Sequence, residues 1–463
     1  MLVVGGGIIG AGVCRDAAMR GLRVGLIEQH DLAFGTSSRS ARLLHGGLRY
    51  LAQGRVRLVR QASLEKLVVQ RIAPHLAMPL PFIFPTYRGT PWPKWKLRLG
   101  VKMYDLLCHH RNFGHSSTLS REQVKSLLPG VNTQRLTGAV RYYDGATNDA
   151  RLVIDTHRSA ARHGAIVSNY MRLEDSVHDG GVWRSQLSDT LTNQSYEVRS
   201  RCVVNATGPW SNRLPNSQIS IRGTKGVHLI VSRQRLAIPE AVMMTEQKRI
   251  VWAVPWADVV YIGTTDTDYS GDPEDVCTSP QDVQYILEVT NTCFPAVHLT
   301  ESDLIQTWAG VRPLIANPRG GPSDVSRSHQ IKIAPQGWID VAGGKLTTYR
   351  LIAQQTVNHV GRCLGRRLPD CRTADAPLLE PGDADGVSSV IPPPVTEHAV
   401  NHYCRNEWAI HLDDVMVRRT RWHHYHIDAD VIAQQVASWM AGCLGWSETR
   451  KQEELQRYRR VLN

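Results

Sequence analysis

The chain begins with MLVVGGGIIGAGVCRDAAMRGLRVGLIE at residues 1–28, which combines a strand pattern, a glycine turn, a helix pattern and a second strand pattern. Gly5, Gly7 and Gly10 match G-x-G-x-x-G, a spacing that permits a tight turn, close approach of backbone amides to a diphosphate, and close packing of a helix on a strand. Glu28 ends the second strand pattern, where a carboxylate can accept hydrogen bonds from both hydroxyls of an adenosine ribose. The stretch therefore predicts a Rossmann-like α/β domain that binds a dinucleotide.

Length and composition limit the function classes. The chain has 463 residues, enough for two or three domains. Lys and Arg number 54 against 42 Asp and Glu, which favours acidic small molecules or an anionic surface as partners, although a merely basic enzyme is the alternative. The nine cysteines include no C-x-x-C pair, so we expect no iron–sulfur cluster, structural zinc or disulfide framework, and a reducing compartment. No apolar run is long enough to predict a signal peptide or a transmembrane helix.

Two further stretches have the composition of ligand-binding loops. The hydroxyl run at residues 36–38 precedes a paired glycine at residues 46–47, and small donors with bare backbone suit a diphosphate and a flat ring. An ordinary polar loop is the alternative. Residues 340–342 predict a strand that runs into residues 343–345, Gly-Gly-Lys, with a helix from Thr347. The amino end of that helix and the lysine would both favour negative charge on a ligand.

A sheet of another kind is predicted between these stretches. Residues 222–265 alternate between apolar and polar side chains, a pattern that predicts an antiparallel sheet as the floor of a second domain. His228 falls in its first strand, as either a structural or a ligand-facing histidine. Arg312 lies between Gly310 and Pro313, as expected where the backbone directs a side chain to a ligand, although an isolated arginine is more often at the surface.

In their order along the chain, these motifs resemble those of the FAD-dependent respiratory glycerol-3-phosphate dehydrogenases, in the D-amino-acid-oxidase-like flavoprotein superfamily. The glycine turn is generic to the superfamily. The specific stretches are HGGLRY, GVRPL and GGKLTTYR at residues 45–50, 310–314 and 343–350, with NATGPW and GTTD at residues 205–210 and 263–266. The likeness covers nearly the whole chain, except that such families usually have several residues before the first strand.

The resemblance implies FAD as the cofactor. The implied FAD-binding residues are Gly5, Gly6, Gly7, Gly10, Glu28, Thr36, Ser37, Ser38, His45, Gly46, Gly47, Gly208, Gly343, Gly344, Lys345, Leu346 and Thr347. No metal site is expected, because His423, His424 and His426 lack a second cluster of ligands and fit a polar turn.

A substrate phosphate would need charged, forked donors, and the motif positions assign Arg49, Arg312 and Arg327 to it, with Tyr50 alongside. Because arginine is a poor proton acceptor, we nominate His228 first and His45 second as the catalytic base. Arg312 would also stabilise a developing alkoxide.

The implied reaction is oxidation of sn-glycerol 3-phosphate to dihydroxyacetone phosphate, with hydride transfer to FAD and electrons passed to a membrane quinone. One alternative is a flavin oxidase that acts on an amine or a 2-hydroxy acid with oxygen as acceptor, which would need a carboxylate clamp. Another is a basic flavoprotein that binds tRNA, but we expect no nucleic-acid partner, because stacking aromatic residues lie among basic ones only at residues 92–102.

The predicted fold class is α/β, with a Rossmann-like FAD-binding domain, an antiparallel-sheet substrate domain and a small all-α C-terminal domain. We expect a discontinuous FAD-binding domain from residues 1–75, 141–215 and 305–376, a substrate and membrane-facing domain from residues 76–140 and 216–304, a linker at residues 377–394 and a helical domain at residues 395–463.

One helix could contact a membrane. Around residues 92–102, basic residues and two tryptophans surround an apolar row at helical spacing, formed by Leu97, Val101, Tyr104 and Leu107. Such a helix could lie in an anionic lipid interface or face the core with a solvated charged side. With the family, whose members are peripheral membrane enzymes, the first alternative is favoured, at the cytoplasmic side of the cell membrane. A homodimer is left open.

Overall fold

The computed structural model describes residues 1–109, 111–246, 249–316 and 329–462, without the side chains of Arg49, Ala52, Arg249, Val461 and Leu462. The helices are α1 (Ile8–Met19), α2 (Val56–Ile72), α3 (Lys94–Leu107), α4 (Arg121–Leu127), α5 (Asp149–Arg162), α6 (Pro280–Cys293), α7 (Tyr349–Cys363), α8 (Glu397–Asn406), α9 (Trp422–Tyr425), α10 (Ala429–Leu444) and α11 (Glu448–Leu462). The strands are β1 (Leu2–Val4), β2 (Gly25–Ile27), β3 (Leu43–Leu44), β4 (Met78–Tyr87), β5 (Ser117–Leu119), β6 (Leu136–Ala146), β7 (Ile166–Ser168), β8 (Met171–Asp179), β9 (Val182–Asp189), β10 (Ser195–Ser200), β11 (Val203–Asn205), β12 (Ile221–Ser232), β13 (Ala241–Glu246), β14 (Arg249–Trp256), β15 (Val259–Gly263), β16 (Thr267–Tyr269), β17 (Leu304–Ile315), β18 (His329–Ile333) and β19 (Trp338–Gly343).

A six-stranded sheet carries the glycine turn. Its order is β18-β19-β11-β1-β2-β7, and all neighbours are parallel except β18, which is antiparallel to β19. Apolar residues of α1, α5 and α7 pack in one core with this sheet. The predicted Rossmann-like arrangement is therefore confirmed. β2 begins at Gly25 although the apolar residues before it begin at Leu22, because the Leu22 amide closes the end of α1 by donating to the Ala17 carbonyl at 3.0 Å.

A larger sheet follows the order β16-β12-β15-β14-β13-β4-β6-β3, with β17 also on β12 and β5 on β6. All of its described strand pairs are antiparallel, except that β4 runs parallel to β13. This confirms the predicted antiparallel sheet. The domain limits stay a prediction, and β17 lies in this large sheet although its residues were assigned to the FAD-binding domain.

Helices α8 to α11 form a cluster with its own apolar core. Buried ion pairs tie the C-terminal segment to the loop after β2 and to α5. Arg419 donates to both oxygens of Asp31 at 2.7 and 2.8 Å, and Arg151 pairs with Glu407. The predicted helical C-terminal domain is therefore confirmed as a fold element. A separate antiparallel sheet, β10-β9-β8, completes the structure.

Helix α3 has two apolar rows, of which the sequence pattern predicted only one. The predicted apolar row is its inner side, because Leu97, Val101 and Tyr104 are buried. A second apolar row faces outward, formed by Trp95, Leu99, Met103 and Leu106, with exposed fractions of 70%, 65%, 38% and 58%. Within the described residues, no helix has the length and apolar character needed to cross a bilayer.

Candidate active site

A cavity of about 860 Å³ lies between the carboxyl ends of the parallel strands and the large sheet. Most of the predicted site residues line it: Gly5, Gly7, Glu28, Thr36, Ser37, His45, Gly47, Tyr50, Gly208, His228, Arg312, Gly343, Gly344, Lys345, Leu346 and Thr347. The lining does not include Gly6, Gly10, Ser38 or Gly46. The side chain of Arg49 and all of Arg327 lie outside the described residues.

The glycine turn depends on close backbone contacts. Gly5 has a φ of +109°, and a Cβ on Gly10 would lie 1.9 Å from the Gly5 carbonyl oxygen. Only a residue without a side chain therefore lets α1 start directly over the turn. The Ile8 amide donates to the Ser37 hydroxyl at 3.0 Å, so the hydroxyl run lies at the amino end of α1.

Glu28 is held at the end of β2. Its carboxylate accepts hydrogen bonds from the Gly6 amide at 2.7 Å and the His30 amide at 3.0 Å. Burial raises the pKa of Glu28, and the two amides act in the opposite direction. Gly6 does not line the cavity, but its amide orients the Glu28 carboxylate, which does line it.

The loop at residues 45–47 is fixed from two sides. The His45 amide donates to the Thr347 hydroxyl at 3.1 Å, and the Gly46 amide donates to the Tyr104 hydroxyl at 2.7 Å. Lys345 Nζ lies 4.2 Å from the centre of the Tyr50 ring. A Cβ on Gly47, which has a φ of +84°, would lie 2.8 Å from that nitrogen. The loop and the lysine therefore form one wall of the cavity.

Arg312 is oriented by the loop after β15. Its Nη2 donates to the Thr264 hydroxyl at 2.9 Å, and its Nη1 lies 3.1 Å from Asp266 Oδ1. Gly226 makes room for it, because a Cβ there would lie 2.3 Å from Nη2. With its side chain 26% exposed, Arg312 presents a fixed positive charge to the cavity.

His228 is buried at the cavity wall. Its ring stacks on Trp308 with centroids 4.6 Å apart and an interplanar angle of 14°. Neither ring nitrogen has a hydrogen-bond partner among the described residues. Burial, followed by the charges of Arg312 and Arg42, holds the pKa of His228 well below its ordinary value. The imidazole is therefore neutral at physiological pH, and a neutral imidazole can accept a proton.

Sequence reasoning assigned no role to several of these residues. Thr264 and Asp266 belong to the GTTD motif at residues 263–266, which served only to indicate the family. The same motif could have indicated that these two residues contact Arg312. The contacts of Arg42 and Trp308 left no signal in the sequence.

Within the described residues, no group of three His, Cys, Asp or Glu side chains could hold a metal. Among the histidines near the C-terminus, His423 has its Nδ1 2.9 Å from the Tyr458 hydroxyl.

Comparison with known proteins identifies the family. Residues 1–349 match the model of the FAD dependent oxidoreductase family, and residues 349–451 match the C-terminal domain of alpha-glycerophosphate oxidase. The aerobic glycerol-3-phosphate dehydrogenase of Staphylococcus haemolyticus (strain JCSC1435) is 34% identical over 399 residues, covering 83% of this chain and 72% of the relative. That of Staphylococcus aureus (strain USA300) is 35% identical with the same coverage.

The chain belongs to the FAD-dependent glycerol-3-phosphate dehydrogenase family. A solved structure agrees. The glycerol-3-phosphate dehydrogenase from Bacillus halodurans, complexed with FAD, is 27% identical with a TM-score of 0.80, and the match covers 100% of this chain and 94% of that chain.

The described residues of this family member fit its cofactor FAD. The cavity has a volume typical of cofactor sites. Its walls combine a glycine turn under the amino end of α1 with a carboxylate at the end of the next strand, as dinucleotide sites do. Lys345 and the start of the helical segment at Leu346 add positive charge to the lining.

Gly10→Ala is expected to reduce the FAD content of the purified protein and its melting temperature, because the added methyl group must displace α1 from the Gly5 carbonyl. Gly25→Ala is the matched control, since a Cβ there meets nothing within 4 Å. Visible absorbance relative to protein absorbance measures FAD content. A Gly10→Ala protein with wild-type FAD content and melting temperature would contradict this account of the turn.

Proposed function

We propose that this protein oxidises sn-glycerol 3-phosphate to dihydroxyacetone phosphate. The observation that carries the proposal is the convergence of Arg312, Lys345 and His228 on the cavity that also contains the glycine turn. FAD, when bound, supplies the hydride acceptor. The chain must then bind a phosphate dianion, hold a secondary alcohol and accept its proton.

The anion anchor is assigned to arginine. A phosphate dianion is held best by charged, forked donors, and Arg312 offers such a fork with its orientation fixed by Thr264 and Asp266. The other proposed members of the anchor are Tyr50, which lines the same cavity, and Arg49 and Arg327. A phosphate clamp of this kind favours glycerol 3-phosphate over an amino acid.

The base is assigned to His228, with His45 as the second candidate. A ring nitrogen of His228 would take the hydroxyl proton of the substrate, since the imidazole is held neutral and lines the cavity. Arg312 would stabilise the negative charge that develops on that oxygen. Both His228 and Arg312 line the cavity, which supports our proposal that they have catalytic roles.

The remaining predicted site residues, including four that lie behind the cavity lining, are proposed to hold or support FAD. The turn at Gly5, Gly6, Gly7 and Gly10 would bring amides to the diphosphate, and Glu28 would bind the adenosine ribose. Thr36, Ser37 and Ser38 would add small donors, and His45, Gly46, Gly47 and Gly208 would border the flat ring. Gly343, Gly344, Lys345, Leu346 and Thr347 would stabilise the negative charge of the reduced ring.

The direct test of the substrate is anaerobic titration of the FAD-loaded protein. We expect glycerol 3-phosphate to abolish the visible absorbance band of oxidised flavin, and glycerol or amino acids to leave it unchanged, because only the first carries both the phosphate and the secondary alcohol. Bleaching by an amino acid or a 2-hydroxy acid would instead favour the oxidase alternative, and peroxide production under air would support it.

Arg312→Lys is expected to lower kcat/KM for glycerol 3-phosphate by roughly 10- to 150-fold, the cost of one charged hydrogen bond of about 1.5 to 3 kcal/mol. Lysine keeps the charge but loses the fork. Arg222→Lys is the matched control, because Arg222 lies on the same sheet and pairs with Asp268 outside the cavity lining. Equal steady-state constants for the two variants would exclude Arg312 as the anchor.

The electron acceptor is proposed to be a membrane quinone, reached by peripheral binding at the cytoplasmic side of the cell membrane. The support is the outward row of α3, which places Trp95 and Leu99 beside Lys96, Arg98 and Lys102. Exposed apolar residues flanked by cations favour an anionic lipid interface.

Trp95→Ser combined with Leu99→Ser is expected to weaken binding to vesicles containing anionic lipid by about tenfold or more, since each side chain would bury apolar area in the interface. Ile427→Ser combined with Val431→Ser is the control, because these residues are 85% and 65% exposed elsewhere on the surface. Sedimentation with vesicles measures the binding. Equal binding of both double variants would remove α3 from the proposed membrane contact.

A further inference from the structure

A chain of ring contacts runs from the cavity wall into the protein. His228 stacks on Trp308 at 4.6 Å, and the guanidinium carbon of Arg42 lies 4.4 Å from the centre of the Trp308 ring. The same carbon lies 4.3 Å from the centre of the Trp256 ring. Arg42 therefore contacts the faces of two indoles, one of which also supports the proposed base.

Arg42 occupies this position at an evident cost. It is 3% exposed, and its three guanidinium nitrogens have no hydrogen-bond partner among the described residues. Burying a charge without hydrogen bonds is unfavourable, and cation–π contacts offset part of that penalty. Its backbone has a φ of +52°, in the left-handed region that side chains rarely adopt. A buried charge without hydrogen bonds on a strained backbone points to a specific role.

The segment that carries Arg42 is firmly held. The Arg42 carbonyl accepts from the Thr147 amide at 2.9 Å, and the Arg42 amide donates to the Ser40 hydroxyl at 3.0 Å. Trp308 is fixed as well, because its indole nitrogen donates to the Ser40 carbonyl at 3.2 Å. Both partners in the contact are thus tied to residue 40, which lines the cavity.

We propose that Arg42 is a positioning residue, which acts through Trp308 to fix the imidazole of His228 at the cavity wall. The proposal rests on the proposed function, in which His228 accepts the substrate proton. Arg42 itself does not line the cavity, so it would act on the base rather than on the substrate.

The charges around His228 give Arg42 a second effect. Arg312 on β17 and Arg42 before β3 are the cations that lower the pKa of His228. Tyr261 on β15 meets the imidazole edge at 6.3 Å, and burial raises its pKa, so it stays neutral. His424 on α9 meets Trp308 at 5.7 Å, and burial holds its pKa well below the ordinary value, so it is neutral too.

Loss of the Arg42 charge should therefore raise the pKa of His228. A raised pKa keeps the imidazole protonated to higher pH, and a protonated imidazole cannot act as the base. The rate of flavin reduction should consequently fall at low pH and recover as the pH rises. A purely structural role for Arg42 would not shift this profile.

The test compares Arg42→Met, which removes the charge, with Arg42→Lys, which keeps the charge but loses the planar group. Arg199→Met is the control, because Arg199 is 69% exposed on the small sheet. The pKa of His228 is measured in the FAD-loaded protein by NMR of ¹³Cε1-labelled histidine, with the resonance assigned from His228→Asn. Anaerobic flavin reduction by glycerol 3-phosphate is measured across the same pH range.

For Arg42→Met we expect the loss of the planar group to lower the rate by about tenfold at high pH, with KM within about twofold of wild type. In addition, the NMR pKa and the acid limb of the rate profile should move to higher pH together, so that the loss of rate grows as the pH falls. For Arg42→Lys we expect an NMR pKa close to wild type but about a tenfold lower rate at all pH values, because the ring is no longer fixed.

Arg42→Lys with wild-type rates, or Arg42→Met with an unshifted NMR pKa and rate profile, would overturn the proposal. If Arg42→Met does not fold, the rate of Arg42→Lys decides alone. Failure of the proposed function is a different result, in which glycerol 3-phosphate does not reduce the flavin of the wild-type protein.

Discussion

The antiparallel pairing of β12 with β17 is the constraint on which the active site depends. The register sets His228 opposite Trp308 and Thr224 opposite Arg312. Because directly paired residues share a face of the sheet and side chains alternate along each strand, His228, Trp308 and Arg312 all lie on one face. A slip of one residue would turn Trp308 and Arg312 away from His228. The proposed base, its support and the proposed anchor thus follow from one register.

The C-terminal helices contribute to the site without lining it. Asp31 lies in the loop after β2, three residues beyond Glu28, and is buried against Arg419 and Arg418. Asp149 accepts from the Ser40 amide at 2.9 Å and also pairs with Arg421. Buried ion pairs are weak sources of net stability but strongly disfavour a mispaired arrangement. Their effect here is to hold the segment from Asp31 to Ser40, part of which borders the cavity, in a defined position.

The sequence was sufficient to predict those parts of the structure that are formed by residues close together in the chain. The strand, glycine turn, helix and Glu28 lie within one short stretch, so spacing alone predicted their arrangement, and the motif at Gly343 to Thr347 likewise reached the cavity. It was insufficient where strands far apart in the chain meet. The place of β17 in the large sheet and the contacts of Arg42 depend on register. Helix α3 shows a third case, since periodicity found Leu97 and Val101 but not the exposed row at Trp95 and Leu99.

In the proposed function, one cavity holds the flavin, the phosphate anchor and the base. Its most direct test is a crystal structure of the protein with FAD and glycerol 3-phosphate, prepared anaerobically with the flavin reduced. The predicted electron density places the substrate phosphate at hydrogen-bond distance from the Arg312 guanidinium and its secondary hydroxyl beside His228, with the flavin ring next to Lys345. A phosphate bound away from Arg312, or a flavin ring that does not share the cavity with His228, would contradict the account.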